Sequence, residues 1–136
     1  MKIEFTVKGV PPKKDGASSM WGKGAEVPRL KELRKAARSA LGEQRPLSGP
    51  VRLTLRVYAD QAVGDLDNFI TGVCDGLMAA HPGVFVDPVI WGDLPESARP
   101  RVAIAFDDDS VVSSIHAERL VPDAESPRYD VELEWI

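Results

Sequence analysis

The sequence predicts a single α/β domain of order β-α-β-α-β-β, a mixed β-sheet packed by two main helices. Three observations carry this expectation. Apolar residues alternate with polar ones at Ile3/Phe5/Val7, at Val51/Leu53/Leu55/Val57 and at Tyr129/Val131/Leu133/Trp135, the period of half-buried strands. Leu30/Leu33/Ala37/Ala40/Leu41 and Phe69/Ile70/Val73/Cys74/Leu77/Met78 instead follow helical spacing. A chain of 136 residues suffices for one core but not two, and with no internal repeat or linker the domain is expected to span residues 1–136.

From the N-terminus, residues 2–8 read as a strand and residues 9–27 as a loop rich in Gly, Pro, Lys and Ser, exposing Lys13, Lys14 and Lys23. The first helix is expected to start near Pro28, a favoured first-turn residue, and to stop at Gly42, a favoured cap. Lys31, Arg34, Lys35 and Arg38 are expected opposite its apolar stripe, with only Glu32 to offset them. A strand at residues 51–57 leads through residues 59–64 to a second helix, capped by Asp67 or Asn68 and ended by His81-Pro82-Gly83. Gly72 and Gly76 within it point to close helix packing, with a partner subunit as one candidate neighbour. Val84–Val86 and Val89–Trp91 read as short strand pieces, and Arg101–Phe106 as a strand entering Asp107-Asp108-Asp109. Residues 111–120 fit strand or helix, and residues 129–135 close the chain as a strand.

Composition is that of a soluble globular protein, 43% hydrophobic and 28% charged. No apolar run approaches the roughly 18 residues of a membrane span, and the start of the chain lacks a signal-peptide pattern, so a cytoplasmic location is expected. Cys74, the single cysteine, reads as a buried core thiol. The net charge of −4 hides an asymmetry. Residues 1–49 carry 11 Lys and Arg against 5 acidic residues, net +6, whereas residues 50–136 carry 6 against 16, net −10. A basic segment suits backbone phosphates and an acidic one suits the ions that neutralise a phosphate under attack. Solvated faces that merely differ in sign produce the same asymmetry.

The acidic residues carry the sharper signal. Asp65 and Asp67 stand at a strand-to-helix turn, and Asp107, Asp108 and Asp109 follow about forty residues later. Carboxylates gathered by a fold repel one another unless a cation sits among them, and hard divalent ions such as Mg²⁺ take such oxygen ligands together with substrate phosphates. Capping of the helix accounts for one of these residues but not for the set. An EF-hand is excluded, because its sixth and twelfth positions counted from Asp65 are Ile70 and Gly76. A dehalogenase-type phosphatase needs an apolar run before the pair, where this chain has Ala62-Val63-Gly64.

Asp65-Leu66-Asp67-Asn68, then Asp75-Gly76-Leu77, then Asp108-Asp109-Ser110-Val111-Val112 together resemble the motif of RusA-type Holliday-junction resolvases. The Pro- and Lys-rich Gly9–Lys14 loop and the strand end at Arg119, where the family commonly has Lys, are also similar. The resemblance covers most of the chain. It implies a RusA-like fold and a homodimeric, Mg²⁺-dependent (or Mn²⁺-dependent) endonuclease that resolves four-way DNA junctions in recombination and repair. Asp65, Asp67 and Asp109 would be catalytic and, with Asp108, would hold the metal. Lys13, Lys14, Lys31, Arg34, Lys35 and Arg38 are expected to contact phosphates without reading sequence. Two departures stand out: Thr71 occupies the position of a family lysine, and the connection at residues 79–106 is long. They leave a junction-binding relic of weak or no turnover as an alternative, and a metal-stabilised interaction protein as another. His81 and His116 read as structural, Trp21 as a base-stacking candidate, and Trp91 and Trp135 as core or dimer contacts.

Overall fold

Alternation and helical spacing resolve into seven elements in a computed structural model, which describes residues 1–14, 19–22, 24–42 and 48–136. In chain order they are β1 (Lys2–Lys8), α1 (Val27–Leu41), β2 (Val51–Tyr58), α2 (Leu66–Gly76), a short α3 (Val89–Asp93), β3 (Val112–Leu120) and β4 (Arg128–Trp135). The four strands form one mixed sheet in the order β1-β4-β2-β3. β4 runs antiparallel to both β1 and β2, whereas β3 runs parallel to β2. The parallel pair is possible because the chain between β2 and β3 holds α2 and α3, the long crossover such a pair requires.

Register makes the alternation productive. Ile3, Leu133 and Leu53 lie in one row across three strands, as do Phe5, Val131 and Leu55, and Val7, Tyr129 and Val57. These rows face the buried stripes of α1 (Leu30, Leu33, Ala37, Leu41) and α2 (Phe69, Val73, Cys74) in one apolar cluster. Each large side chain removed from water there contributes about 1.5–3 kcal/mol. Pro28 does sit in the first turn of α1, and Gly42 caps its end by donating to the Arg38 carbonyl. Among the described residues no helix is long and apolar enough to cross a membrane.

The crossover departs most from the sequence expectations. Val89–Trp91 belongs to helix α3 rather than to a strand, and neither Val84–Val86 nor Arg101–Phe106 pairs with a neighbouring strand. Ile104, Ala105 and Phe106 are apolar because they plug the core, and a buried run looks alike in strand and non-strand. The N–H groups of Ile104 and Ala105 both donate to the Leu77 carbonyl at 3.0 Å, so the run is tied to the end of α2. Gly72 and Gly76 are indeed crowded, by other segments of the chain. A Cβ at Gly72 would lie 2.0 Å from the Pro12 carbonyl oxygen, and one at Gly76 would lie 2.7 Å from Leu33.

Candidate functional site

The site is built around α2. Its N-cap is Asp65, two residues before Asp67 and three before Asn68, the expected caps, and the Asp65 carboxylate makes no capping hydrogen bond. Asp67, in the first turn, is exposed, as is Asp65. There a carboxylate is stabilised by the positive end of the helix dipole. Gly64 precedes them with φ +147, and an added Cβ would meet the Phe69 ring at 3.0 Å, so the turn needs glycine. Arg119, near the end of β3, donates to the carbonyls of Asp60 and Gly64, with its guanidinium over the Phe69 ring. That contact fixes the turn that presents Asp65. Thr71 is exposed one turn after Asp67, and its hydroxyl donates to the Asp67 carbonyl at 3.1 Å.

The docked Ile104–Phe106 run delivers the second acidic group to the far end of α2. Asp107, Asp108 and Asp109 are exposed, and Asp108 caps the turn that follows by accepting from the Ser110 N–H at 2.9 Å. The Asp109 carboxyl is pushed above the ordinary aspartate range by partial burial and by the charges of Asp75 and Asp108, while Lys14 acts in the opposite sense. Asp75 therefore shares this region, although the sequence reading had not placed it in the site. Its position in the Asp75-Gly76-Leu77 motif, two helical turns beyond Asp67, was the available signal. Burial pushes the neighbouring Cys74 thiol up to about 12, with Asp109 and Asp75 adding to the effect, so it is inert core.

The basic loop is seated along the same helix. The Lys14 N–H donates to the Asn68 carbonyl at 3.2 Å, and its ammonium pairs with Asp75 at 2.8 Å. The Lys13 side chain runs beside Gly64, and its N–H donates at 3.0 Å to Glu26, a buried carboxylate also held by Arg29. Two cations thus stand near the two ends of the acidic strip.

The basic helix is different. Arg34 is 0% exposed and cannot contact a phosphate, which corrects its assignment to the DNA-binding set. Its guanidinium donates to the carbonyls of Ala98, Gly76, Met78, Arg99 and Val102. Burial lowers its pKa to about 9, which still leaves it charged at neutral pH. Trp21 is also buried, with its ring under that guanidinium at 5.1 Å, so it is not a free stacking platform. Lys31 pairs with Asp93 and Arg38 donates to Ser97, which leaves Lys35 as the exposed cation of the predicted set on α1. Lys23 lies outside the described residues.

Of the remaining residues, His81 accepts the Gly83 N–H on Nδ1, and His116 is exposed on β3. Trp135 is buried and Trp91 packs against the core. Among the described residues no three His, Cys, Asp or Glu side chains stand close enough together to hold one metal ion. The donors that approach the site are carboxylate oxygens, a set chemically suited to a hard divalent cation. No protein-family model matches the chain, and no curated protein matches it in sequence.

Proposed function

We propose that the protein is a Mg²⁺-dependent, structure-selective endonuclease of the RusA type, acting as a homodimer on branched DNA with four-way junctions as substrate. The observation that carries this reading is that Asp75 on α2 and Asp109 at the end of the crossover lie near enough for their charges to act on each other, with Lys14 paired to Asp75, along the helix that begins at Asp65 and Asp67. Asp65 and Asp67 at the start of α2, and Asp108 and Asp109 at its far end, would each offer carboxylate oxygens to a divalent ion, with substrate phosphate completing the shell. Bound Mg²⁺ supplies a water of lowered pKa and stabilises charge on the scissile phosphate. Lys13 and Lys14 hold backbone phosphate, Lys14 exchanging Asp75 for a phosphate oxygen. Arg119 positions the turn beneath Asp65. Two copies match the approximate two-fold symmetry of a junction.

A nicking assay on a synthetic four-way junction tests the reading. Paired nicks that require Mg²⁺ or Mn²⁺ are expected, with binding that weakens steeply as salt rises. Salt-insensitive association, or none, would sink it in favour of an interaction protein. One observation favours a second reading, the junction-binding relic: the Thr71 hydroxyl is turned back on the helix where a lysine could have met the phosphate. Tight binding without nicks in any divalent ion would select it.

A further inference from the structure

Beside Lys14, Asp75 and Asp107 opens a cavity of about 740 Å³, walled also by Trp21, Met78 and His81. Such a volume falls within the roughly 300–1,000 Å³ of small-ligand sites. Its wall is made by the long crossover and is held rigidly. Arg34 ties the carbonyls of Met78, Ala98, Arg99 and Val102 together, and Arg101 donates to those of Ala80, His81 and Val84. Two arginines therefore commit their donors to building this wall rather than to meeting a polyanion. Phe85, next to the cavity-lining Val84, is 63% exposed and rests on Gly22.

We infer that this cavity receives one unstacked nucleobase from the strand whose phosphate lies at the neighbouring acidic site. The chemistry favours a base over a phosphate. Asp75 and Asp107 repel a phosphate but accept hydrogen bonds from base amino or imino groups. His81, whose Nδ1 already accepts from Gly83, carries its proton on Nε2 when neutral and offers a donor. Met78 and Val84 supply apolar wall for the ring faces, and Phe85 at the rim offers a stacking surface for the next base. Lys14 at the mouth remains for the phosphate. The inference rests on the nuclease reading, and it gives the crossover a role: selecting DNA with an unpaired or easily unstacked nucleotide beside the cut.

The test uses the full-length protein and four-way junctions carrying 2-aminopurine at each nucleotide flanking the crossover, with Ca²⁺ in place of Mg²⁺ so that strands stay intact. A several-fold fluorescence rise at one position on binding is expected, as that base leaves the stack. Ala79→Trp and Pro82→Trp fill the cavity from exposed positions, so each is expected to abolish the rise. Each should also weaken junction binding about tenfold while leaving duplex binding unchanged, the scale of one lost base contact. Junction binding with no rise at any position, or a rise that both variants leave intact, overturns the base pocket while sparing the nuclease reading. Absence of any DNA binding overturns both.

Discussion

Two charged regions of the molecule look equally functional as sequence and behave in opposite ways when folded. The basic helix α1 turns its charges inward or onto neighbours: Arg34 is buried on five carbonyls, Lys31 pairs with Asp93 and Arg38 with Ser97. The acidic margin of α2 leaves Asp65, Asp67, Asp107, Asp108 and Asp109 exposed, with Asp109 held above its ordinary range by partial burial and by neighbouring carboxylates. A buried cation satisfied by backbone carbonyls is an architectural device. Unneutralised, crowded carboxylates at a surface raise the free energy of the unliganded protein, so a cation that binds there relieves them. The sign of the charge is thus less informative than whether the fold has already partnered it.

The comparison breaks most sharply at Arg34. Arg34→Met should cost about 3–5 kcal/mol of stability in urea unfolding, because it removes the guanidinium donors from five carbonyls at once. If it instead melts like wild type and weakens DNA binding, the inward role is wrong. Next in size, Asp67→Asn and Asp109→Asn should each lower junction nicking about a hundredfold or more, some 2.7 kcal/mol of barrier. Binding should persist, since each variant also removes a negative charge facing the phosphates. A wild-type nicking rate in either variant would remove that residue from the catalytic set.

Thr71→Lys sharpens the contrast from the other side. It places a cation one helical turn from Asp67 and is expected to raise nicking by about tenfold or more. An unchanged rate would mean that Lys13 or Lys14 already serves the phosphate. A smaller effect concerns pH. The raised Asp109 pKa means the folded chain holds that proton to higher pH than the unfolded one. The group's contribution to stability is therefore present below the unfolded pKa and lost as pH rises through the folded one. Mg²⁺ should lower the Asp109 pKa, read by carboxyl NMR titration, and Asp109→Asn should erase the pH dependence in that window. An Asp109 titration indifferent to Mg²⁺ would place the ion elsewhere. Least of all, Lys35→Ala should change stability by no more than about 0.5 kcal/mol.

Much of this was legible in the residues. The period-two rows and helical stripes located β1, β2, β4 and both main helices, since burying one face of each element leaves a pattern in the residues themselves, whereas residues 111–120 fitted strand or helix alike. The inward role of Arg34 does leave a signal in the sequence. Arg34 stands four residues after Leu30 and three before Ala37, inside the apolar stripe, with Lys31, Lys35 and Arg38 to one side. The Asp75-Gly76-Leu77 motif does not by itself place Asp75 at the site, because charge on a helix says nothing of what packs against it. The crossover could not be read, because Ile104–Phe106 is held by the Leu77 carbonyl and the core rather than by a repeating local pattern.

The sequence by itself determined the α/β class, the positions of β1, α1, β2, α2 and β4, the capping of α1 at Gly42 and the glycines that only a close approach explains. These follow from local periodicity and from backbone limits that each residue carries with it. Only the tertiary structure decided which charges are spoken for. Arg34, Glu26 and Arg119 act on segments up to 68 residues away, and the charge of Asp75 on α2 acts on Asp109 at the end of the crossover. Such partnerships depend on distances in space, where a few ångströms separate a desolvated, satisfied ion from an exposed one, and spacing along a chain does not encode them.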